Sequence, residues 1–503
     1  MLRSACENAV NFVSQTRSIF VCSSDLRKHL DGFSSLTGQS SNPLDREMQS
    51  KTYTIAELFS GCGGFTNGFL KSGRFTPVLA NDIKGAALAT YRHNNIGVLG
   101  EPEIINKDLR QVKAAQIEAA LNRKGLDRGE LDVLVGGPPC QGFSQLRRGE
   151  EREGGNIVKF RGYDRLAHDP RNDLVLRFLE VAEVLRPRFI VIENVPQFLR
   201  HGFNGSAGGL VDAIHDLLQQ DMGYRVAVAI LNAADFGIPQ ARQRAFILAS
   251  RDGRAAFPNS THASPEELDP LDKERSPWLT VAEALSDLPP PPVGKDLLGG
   301  GPITLYRSDR GSAYGERTRS KKRFPYNHVT RKYSHDILGI IEEMRPGETW
   351  DHASGRMRDH YDQLVASRQR PDETVAEARD RLIDGGLINP RFYKSYYWSA
   401  YTRLAWDKPA LTITANANFL GSGRFTHPEE NRGITMREAA RLQSFEDDFR
   451  FITSASNLED TETIGVGLDM IGEAVPPLLS CAIAKQIAYL LDGVTEGSRA
   501  DTG

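Results

Sequence analysis

The 503-residue chain is poor in cysteine. Its five cysteines (Cys6, Cys22, Cys62, Cys140 and Cys481) are scattered, and no two stand at CxxC spacing. That excludes a disulfide framework and argues against a zinc or other metal site. It fits a reducing, intracellular compartment. No run approaches the roughly 18 apolar residues of a membrane span, so no membrane partner is expected. The stretch 8–22 is mildly apolar, but Asn11, Ser14, Gln15, Thr16 and Arg17 interrupt it, so no secretory signal is expected. Charge of one sign is also lacking. Sixty-two basic residues face 65 acidic ones, for a net −3. A strongly basic domain is the usual footprint of a nucleic-acid binder, so whole-chain charge points away from nucleic acid. At 40% hydrophobic and 25% charged the composition is ordinary globular, and the length allows roughly two to four domains.

What is there is a rhythm. Residues 1–52 carry no recognisable motif and end in a polar run. From Tyr53 the pattern becomes strand–turn–helix. Strands are expected at 53–58, 77–80, 131–135, 189–192, 226–231 and 245–249, and helices at about 64–70, 86–93, 174–185 and 478–491. Alternation of this kind implies an α/β fold, a doubly wound, mostly parallel sheet with helices on both faces. After about residue 250 the rhythm stops. Four prolines (289–292) and three glycines (299–301) mark a loop-rich second region. The expected organisation is an extension at 1–52, a catalytic and cofactor-binding domain at 53–255, a smaller domain at 256–462, and a segment at 463–503 that returns to complete the first domain.

Every polar or glycine-rich motif falls just after a strand, where open α/β sheets place ligands. ELFSGCGGFTNG (57–68) puts glycines at 61, 63 and 64, so the backbone can turn sharply and approach a ligand. It is not the GxGxxG that a dinucleotide pyrophosphate needs. Asp82 ends the next strand, placed to accept from ribose hydroxyls. Asp108, after the third strand region, is placed to accept an adenine amino group. Together these suggest a nucleoside ligand without a pyrophosphate, and S-adenosylmethionine fits. GGPPCQGFS (136–144) sets Cys140 after a stiff Pro-Pro step at the end of a buried strand. The commonest fate of a free cysteine is burial in a core, but strand interiors avoid this composition. A nucleophile there needs a lowered pKa or a basic neighbour. FIVIENV (189–195) ends an apolar strand in Glu193. Alone it reads as a solvated strand-end acid. Beside a nucleophilic cysteine it becomes a candidate general acid whose pKa burial would raise. QARQR (240–244) opens a strand, so Gln240, Arg242 and Arg244 are expected on one face. A surface charge ladder is the alternative.

In order along the chain, ELFSGCGGF, GGPPCQGFS, IENV, QARQR, REAARLQSF (437–445) and IGEAVPP (471–477) resemble the motif series of the bacterial-type DNA cytosine-5 methyltransferases. The resemblance spans about 53–490, with a less patterned gap at about 256–395. It implies that Cys140 attacks C6 of a cytosine flipped out of duplex DNA. It implies that Glu193 protonates or hydrogen-bonds N3, and that Arg244 with Arg242 holds O2 and neighbouring groups. It implies that the methyl comes from S-adenosyl-L-methionine, in a pocket lined by Phe59, Gly61, Gly63, Gly64, Asp82, Ile83, Asp108, Pro138 and Glu473, without a metal. It places a mobile loop at 144–172 and the target-recognition region in the gap. It implies a monomer acting on double-stranded DNA in the bacterial cytoplasm, with a cognate restriction endonuclease as the one protein partner to consider.

Two departures stand out. Glu473 occupies a position where the family usually has Asn, which bears on cofactor affinity, and Asp82 stands where Glu is more usual. The gap supports its assigned role. Residues 306–332 hold nine Lys/Arg against Asp309 and Glu316, with Tyr306, Tyr314, Phe324 and Tyr326 interleaved. Basic side chains anchor phosphates while arginines and aromatics reach base edges. A second aromatic cluster at 391–406 reads equally as a small core or a DNA surface. Against a tRNA-methylating relative stands the absence of its Cys-Phe-Thr sequence. Against a catalytically silent DNA-binding relative stand intact Cys140, Glu193, Arg242 and Arg244. An NAD-dependent oxidoreductase fails on the missing GxGxxG.

Overall fold

The computed structural model describes residues 51–95, 101–139, 151–153, 156–158, 173–200, 209–269, 271–293, 305–322, 324–453 and 463–493. The chain divides into two units, Met1–Lys51 and Thr52–Gly503, and the named elements all belong to the second.

Seven strands form one sheet: β1 (Tyr53–Leu58), β2 (Phe75–Asp82), β3 (Glu103–Asn106), β4 (Val133–Gly136), β5 (Phe189–Asn194), β6 (Arg225–Asn232) and β7 (Gln243–Ser250). Their order is β3-β2-β1-β4-β5-β7-β6. The first five run parallel, while β7 is antiparallel to both β5 and β6. Pro77, which has no N–H to give a ladder, sits in the interior strand β2. A break in the β1–β2 register between Ile55 and Ala56 accommodates it.

The sheet is apolar on both faces, as a covered parallel sheet must be. Ile55, Val133, Val135, Phe189, Val191, Phe246 and Leu248 pack with Phe65 and Phe69 of α1 (Gly64–Lys71) on one side. Ala56, Leu134, Ile190, Ile192 and Ile247 face the other side, against Ile117 of α3 (Ala114–Asn122) and Phe178 of α4 (Asp173–Leu185). The remaining sheet-domain helices are α2 (Gly85–Asn94), which follows β2, and α5 (Gly209–Asp216).

A third apolar cluster gathers residues from Leu279 to Leu478 around the buried Trp350 and includes Cys62 and Ala87 of the sheet region. Its helices are α6 (Val281–Leu285), α7 (Ala313–Thr318), α8 (His335–Ile341), α9 (Trp350–Arg368), α10 (Val375–Asp384) and α11 (Met436–Leu442). Helices α12 (Thr463–Glu473) and α13 (Pro477–Leu491) follow. Leu479, Ile483 and Ile487 of α13 return to the sheet face covered by α1. The stretch Ile464–Leu491 is long and apolar enough by composition to cross a membrane, contrary to the expectation that no such run exists. It is two thirds buried, which is how a core helix meets that criterion.

Candidate active site

The switch in strand order lies between β1 and β4, and the side chains of interest converge on that rim. After β1 the chain enters a left-handed turn at Phe59 (φ 56°), then at Gly61 and Gly63. A β-carbon on Gly63 would stand 2.7 Å from the Tyr91 ring, and one on Gly64 would stand 2.4 Å from the Val475 carbonyl oxygen. Only glycine allows α1 to start this close to the segment between α12 and α13. Asp82 fixes the turn from β2, its Oδ2 accepting from the Gly61 amide (2.8 Å) and its Oδ1 from the Lys84 amide (2.7 Å). A carboxylate has about four acceptor positions, so two remain. Ser60 Oγ in the turn is buried and makes no hydrogen bond. Ile83 is 62% exposed at the rim. Asp108 caps the short turn after β3 and is forked with Arg110 (Nη2 to Oδ2, 2.6 Å), which holds its carboxyl below the usual range.

On the other side of the switch, Gly137 and Pro138 leave β4, and the Pro138 carbonyl accepts from Asn194 Nδ2 (3.2 Å) at the end of β5. A β-carbon on Gly137 would stand 3.0 Å from Glu193 Oε2, so this loop passes directly beside the carboxylate. Glu193 is buried at 8% exposure, and Arg244 Nε stands 3.0 Å from its Oε1. Burial pushes the Glu193 carboxyl up, and the guanidiniums of Arg244 and Arg242 oppose the shift without cancelling it. Cys140 lies outside the described residues, as does most of 144–172. Within that loop, Glu151–Glu153 and Asn156–Val158 pair antiparallel.

Gln240 and Arg242 both turn inward onto Ile413, whose amide donates to Gln240 Oε1 (3.0 Å), and Arg242 lies close enough to Arg244 and Glu193 to act on both electrostatically. Gln240–Ala241 is a separate two-residue strand paired with Ala410–Leu411, and β7 begins only at Gln243. Between them Arg242 turns into the interior. Its Nη1 donates to the Ile413 carbonyl (2.7 Å), and its Nη2 donates to those of Gly472 (2.9 Å) and Ala474 (3.2 Å). Gln443 Nε2 adds a bond to Ala474 O (2.6 Å). Both Nη nitrogens thus donate to backbone while the buried Nε has no hydrogen-bond partner, and the two bonds to 472 and 474 bracket Glu473. The Glu473 side chain forms an ion pair with Lys84, whose Nζ lies 2.6 Å from both carboxylate oxygens.

Sequence reasoning passed over Glu57, Ser60 and Lys84. Glu57 is buried inside β1, accepts from the Thr66 amide (3.1 Å) and hydroxyl (2.5 Å), and is pushed by burial up to about 8. The signal for it was available: a lone acid in an otherwise apolar strand. Among the described residues no group of three His, Cys, Asp or Glu side chains could hold a metal ion.

The family model for C-5 cytosine-specific DNA methylases matches residues 53–489. The chain belongs to that family. The methylase is 30% identical to the type II methyltransferase M.AgeI of Thalassovita gelatinovora, over 86% of this chain and 98% of that one. It is 28% identical to the type II methyltransferase M.DdeI of Desulfomicrobium norvegicum, over 88% and 89%. A prophage-encoded E. coli protein assigned as a DNA modification methyltransferase shares the fold, with a TM-score of 0.57 at 21% identity, over 88% of this chain and 100% of that one.

The basic stretch of the methylase divides in two. Arg319 pairs with the buried Asp287 (2.6 Å), and Arg331 donates to the Asn418 carbonyl. Tyr314 and Tyr306 turn inward to Arg441 O and Asp447 (2.5 Å each). Arg310, Arg317, Lys321, Lys322 and Lys332 are exposed. Arg323 lies outside the described residues. The second aromatic cluster divides likewise. Phe392, Tyr396 and Tyr401 pack around Trp350, whereas Tyr397 and Trp398 are exposed. REAARLQSF is internal: Arg441 bridges Asp287 and Asp447, and Arg437 donates to the carbonyls of Tyr326, Glu446 and Phe449.

Proposed function

We propose that this methylase acts on cytosine within a specific sequence of duplex DNA, with S-adenosyl-L-methionine as methyl donor and Cys140 as covalent nucleophile. The observation that carries the reading is the buried Glu193–Arg244 pair set directly beside Gly137, three residues before Cys140. The rim residues fit an adenosyl ligand. Two acceptor positions remain on Asp82, Ser60 Oγ is buried without a partner, and Ile83 offers an exposed apolar surface. Phe59, Gly61, Gly63, Gly64, Asp108, Pro138 and Glu473 complete the pocket. S-adenosylmethionine, when bound, supplies an electrophilic methyl group.

The protein's own part follows from chemistry. A base inside the stack is out of reach, so the cytosine is extruded into the site. The Cys140 thiolate adds to C6, forming a C–S bond and moving electron density toward N3 and O2. Glu193, whose carboxyl burial pushes up against the opposing pull of Arg244 and Arg242, donates to N3 in its protonated form. Arg244 faces the charge building on O2. Arg242 acts one step removed, by bracing the backbone around Glu473. The addition leaves C5 nucleophilic. After C5 is methylated, solvent water takes the C5 proton, the Cys140 thiolate is expelled and the N3 proton returns to Glu193, which restores the ring and frees the enzyme.

The regions follow the same reading: 53–255 catalytic, 256–462 target recognition, and 463–503 completing the first. The partners are double-stranded DNA and, in a restriction–modification setting, an endonuclease of the same specificity. The chain acts as a monomer in the cytoplasm.

The test is incubation with unmethylated genomic DNA and labelled S-adenosylmethionine, followed by mapping of 5-methylcytosine. Label at one recurring sequence is expected. Label on tRNA alone would overturn the DNA assignment. Cys140→Ser is expected to abolish transfer while S-adenosylhomocysteine still binds. Near-normal turnover in that variant would sink the nucleophile.

A further inference from the structure

Lys84 and Glu473 are 389 residues apart in sequence, yet the Lys84 ammonium touches both oxygens of the Glu473 carboxylate at 2.6 Å. The pair is not buried: the side chains are 50% and 39% exposed. An exposed ion pair of this kind contributes little to stability, about 0–1 kcal/mol. Its place in the fold is a better guide to its use than its energy. Lys84 follows Asp82, whose carboxylate holds the Gly61 amide on one side of the glycine turn. Glu473 precedes Ala474 and Val475, which touch Gly64 on the other side. The pair therefore joins the two elements that flank the turn.

Both charges stand on anchored backbone. The Lys84 amide donates to Asp82. The carbonyls on either side of Glu473 accept from Arg242, and that of Ala474 also accepts from Gln443. A β-carbon on Gly472 would stand 2.2 Å from the Thr414 carbonyl carbon, so this backbone is also hemmed in. Only the side chains are free to separate. Asp469, one turn earlier on α12, faces the same pair and adds a second acid, its carboxyl pushed up to about 6 by burial and by Glu473. Asp82 is the other neighbouring acid, and both its oxygens already accept backbone amides.

A cation and an anion on the two elements that flank the glycine turn complement a ligand carrying both charges. On the reading that this turn binds an adenosyl cofactor, the geometry points to Lys84 and Glu473 as the receptors for the cofactor's amino-acid end. Glu473 accepts from its α-ammonium, and Lys84 donates to its α-carboxylate. This resolves the departure at 473. A carboxylate there, facing the cofactor alone, would repel its carboxylate, and Lys84 supplies the matching positive charge. In the absence of ligand the two side chains satisfy each other. Binding exchanges one ion pair for two.

The test compares two ligands by calorimetry on the full chain. S-adenosylhomocysteine carries the amino-acid end, and 5′-methylthioadenosine lacks it. Wild type is expected to bind the first at least tenfold more tightly. In Glu473→Gln and in Lys84→Gln separately, affinity for S-adenosylhomocysteine is expected to fall about tenfold, while that for 5′-methylthioadenosine stays within about twofold. Unchanged S-adenosylhomocysteine affinity in both variants would overturn the assignment. So would an equal loss for both ligands, which would mark the pair as merely structural. Wild type binding both ligands equally would refute the inference and leave the cofactor reading standing. Wild type binding neither would sink the cofactor reading itself.

Discussion

Arg244 reaches Glu193 with its Nε 3.0 Å from Oε1, across the seam where the antiparallel strand β7 meets β5. The antiparallel direction matters. It brings the start of β7 to the rim where the parallel strands end, so a guanidinium and a carboxyl from distant motifs share one buried spot. Removing Arg244 strips the buried Glu193 carboxyl of the guanidinium beside it, so that loss should be felt.

Glu193→Gln is expected to lower turnover by about 10²–10⁴-fold, the usual span for a lost proton donor, and to leave S-adenosylhomocysteine affinity nearly unchanged. The pH profile gives a sharper readout. The protonated form does the work, and burial raises its pKa. Turnover of the wild type should therefore decline as pH rises through that raised value. The Gln variant cannot ionise, so its profile should lose this limb. Retention of the limb in Glu193→Gln would assign it to another group.

Glu57 gives a prediction about stability. Its carboxyl is fully buried in β1 and is pushed from an ordinary 4.5 up to about 8. A raised folded-state pKa means that the favourable contribution is fully present below about 4.5. It is lost progressively as pH rises to about 8. The size of the loss is on the order of 4–5 kcal/mol. Glu57→Gln keeps an oxygen to accept from Thr66 and cannot ionise. It should be more stable than wild type at pH 8–9, and its denaturation midpoint should vary less between pH 5 and 8. Equal pH dependence in the two proteins would show that Glu57 does not carry it.

Arg242→Lys tests the bracing role. A lysine cannot span the three carbonyls of Ile413, Gly472 and Ala474 that the guanidinium holds. Loss of two charge-assisted bonds in a buried site should cost about 3 kcal/mol or more. If Arg242 acts only through backbone, S-adenosylhomocysteine affinity should fall along with the melting temperature. A full-stability variant that has lost only turnover would return Arg242 to direct contact with the base.

Much of this architecture was legible along the chain because its signals are local. The strand-like β1 before its glycine turn, the all-apolar run 189–192 and the α13 pattern each declare themselves within one element. Glycines at 61, 63 and 64 announced a tight turn, and the structure shows the Tyr91 ring and Val475 carbonyl that require it. What was illegible was set by partners far away. Nothing near Arg242 says that its acceptors lie at 413, 472 and 474. Nothing near Lys84 says that Glu473 is its partner. The basic stretch 306–332 read as one patch because charge counts do not distinguish Arg319, tied inward to Asp287, from Lys321 and Lys322, which face solvent.

That last distinction can be measured. If residues 306–332 meet the DNA backbone, only the outward side chains should contribute phosphate contacts. Each neutralised phosphate contributes about −0.9 to the slope of log affinity against log salt. Lys321→Ala with Lys322→Ala should therefore shallow the slope by about 2 and weaken binding at low salt, while the melting temperature stays near that of wild type. Arg319→Ala should do the reverse. It removes the partner of Asp287, a carboxylate buried at 1% exposure and shared with Arg441. The protein should lose stability while the folded fraction keeps the wild-type salt slope. A common slope in all three proteins would move the DNA surface away from this stretch, whatever its local charge.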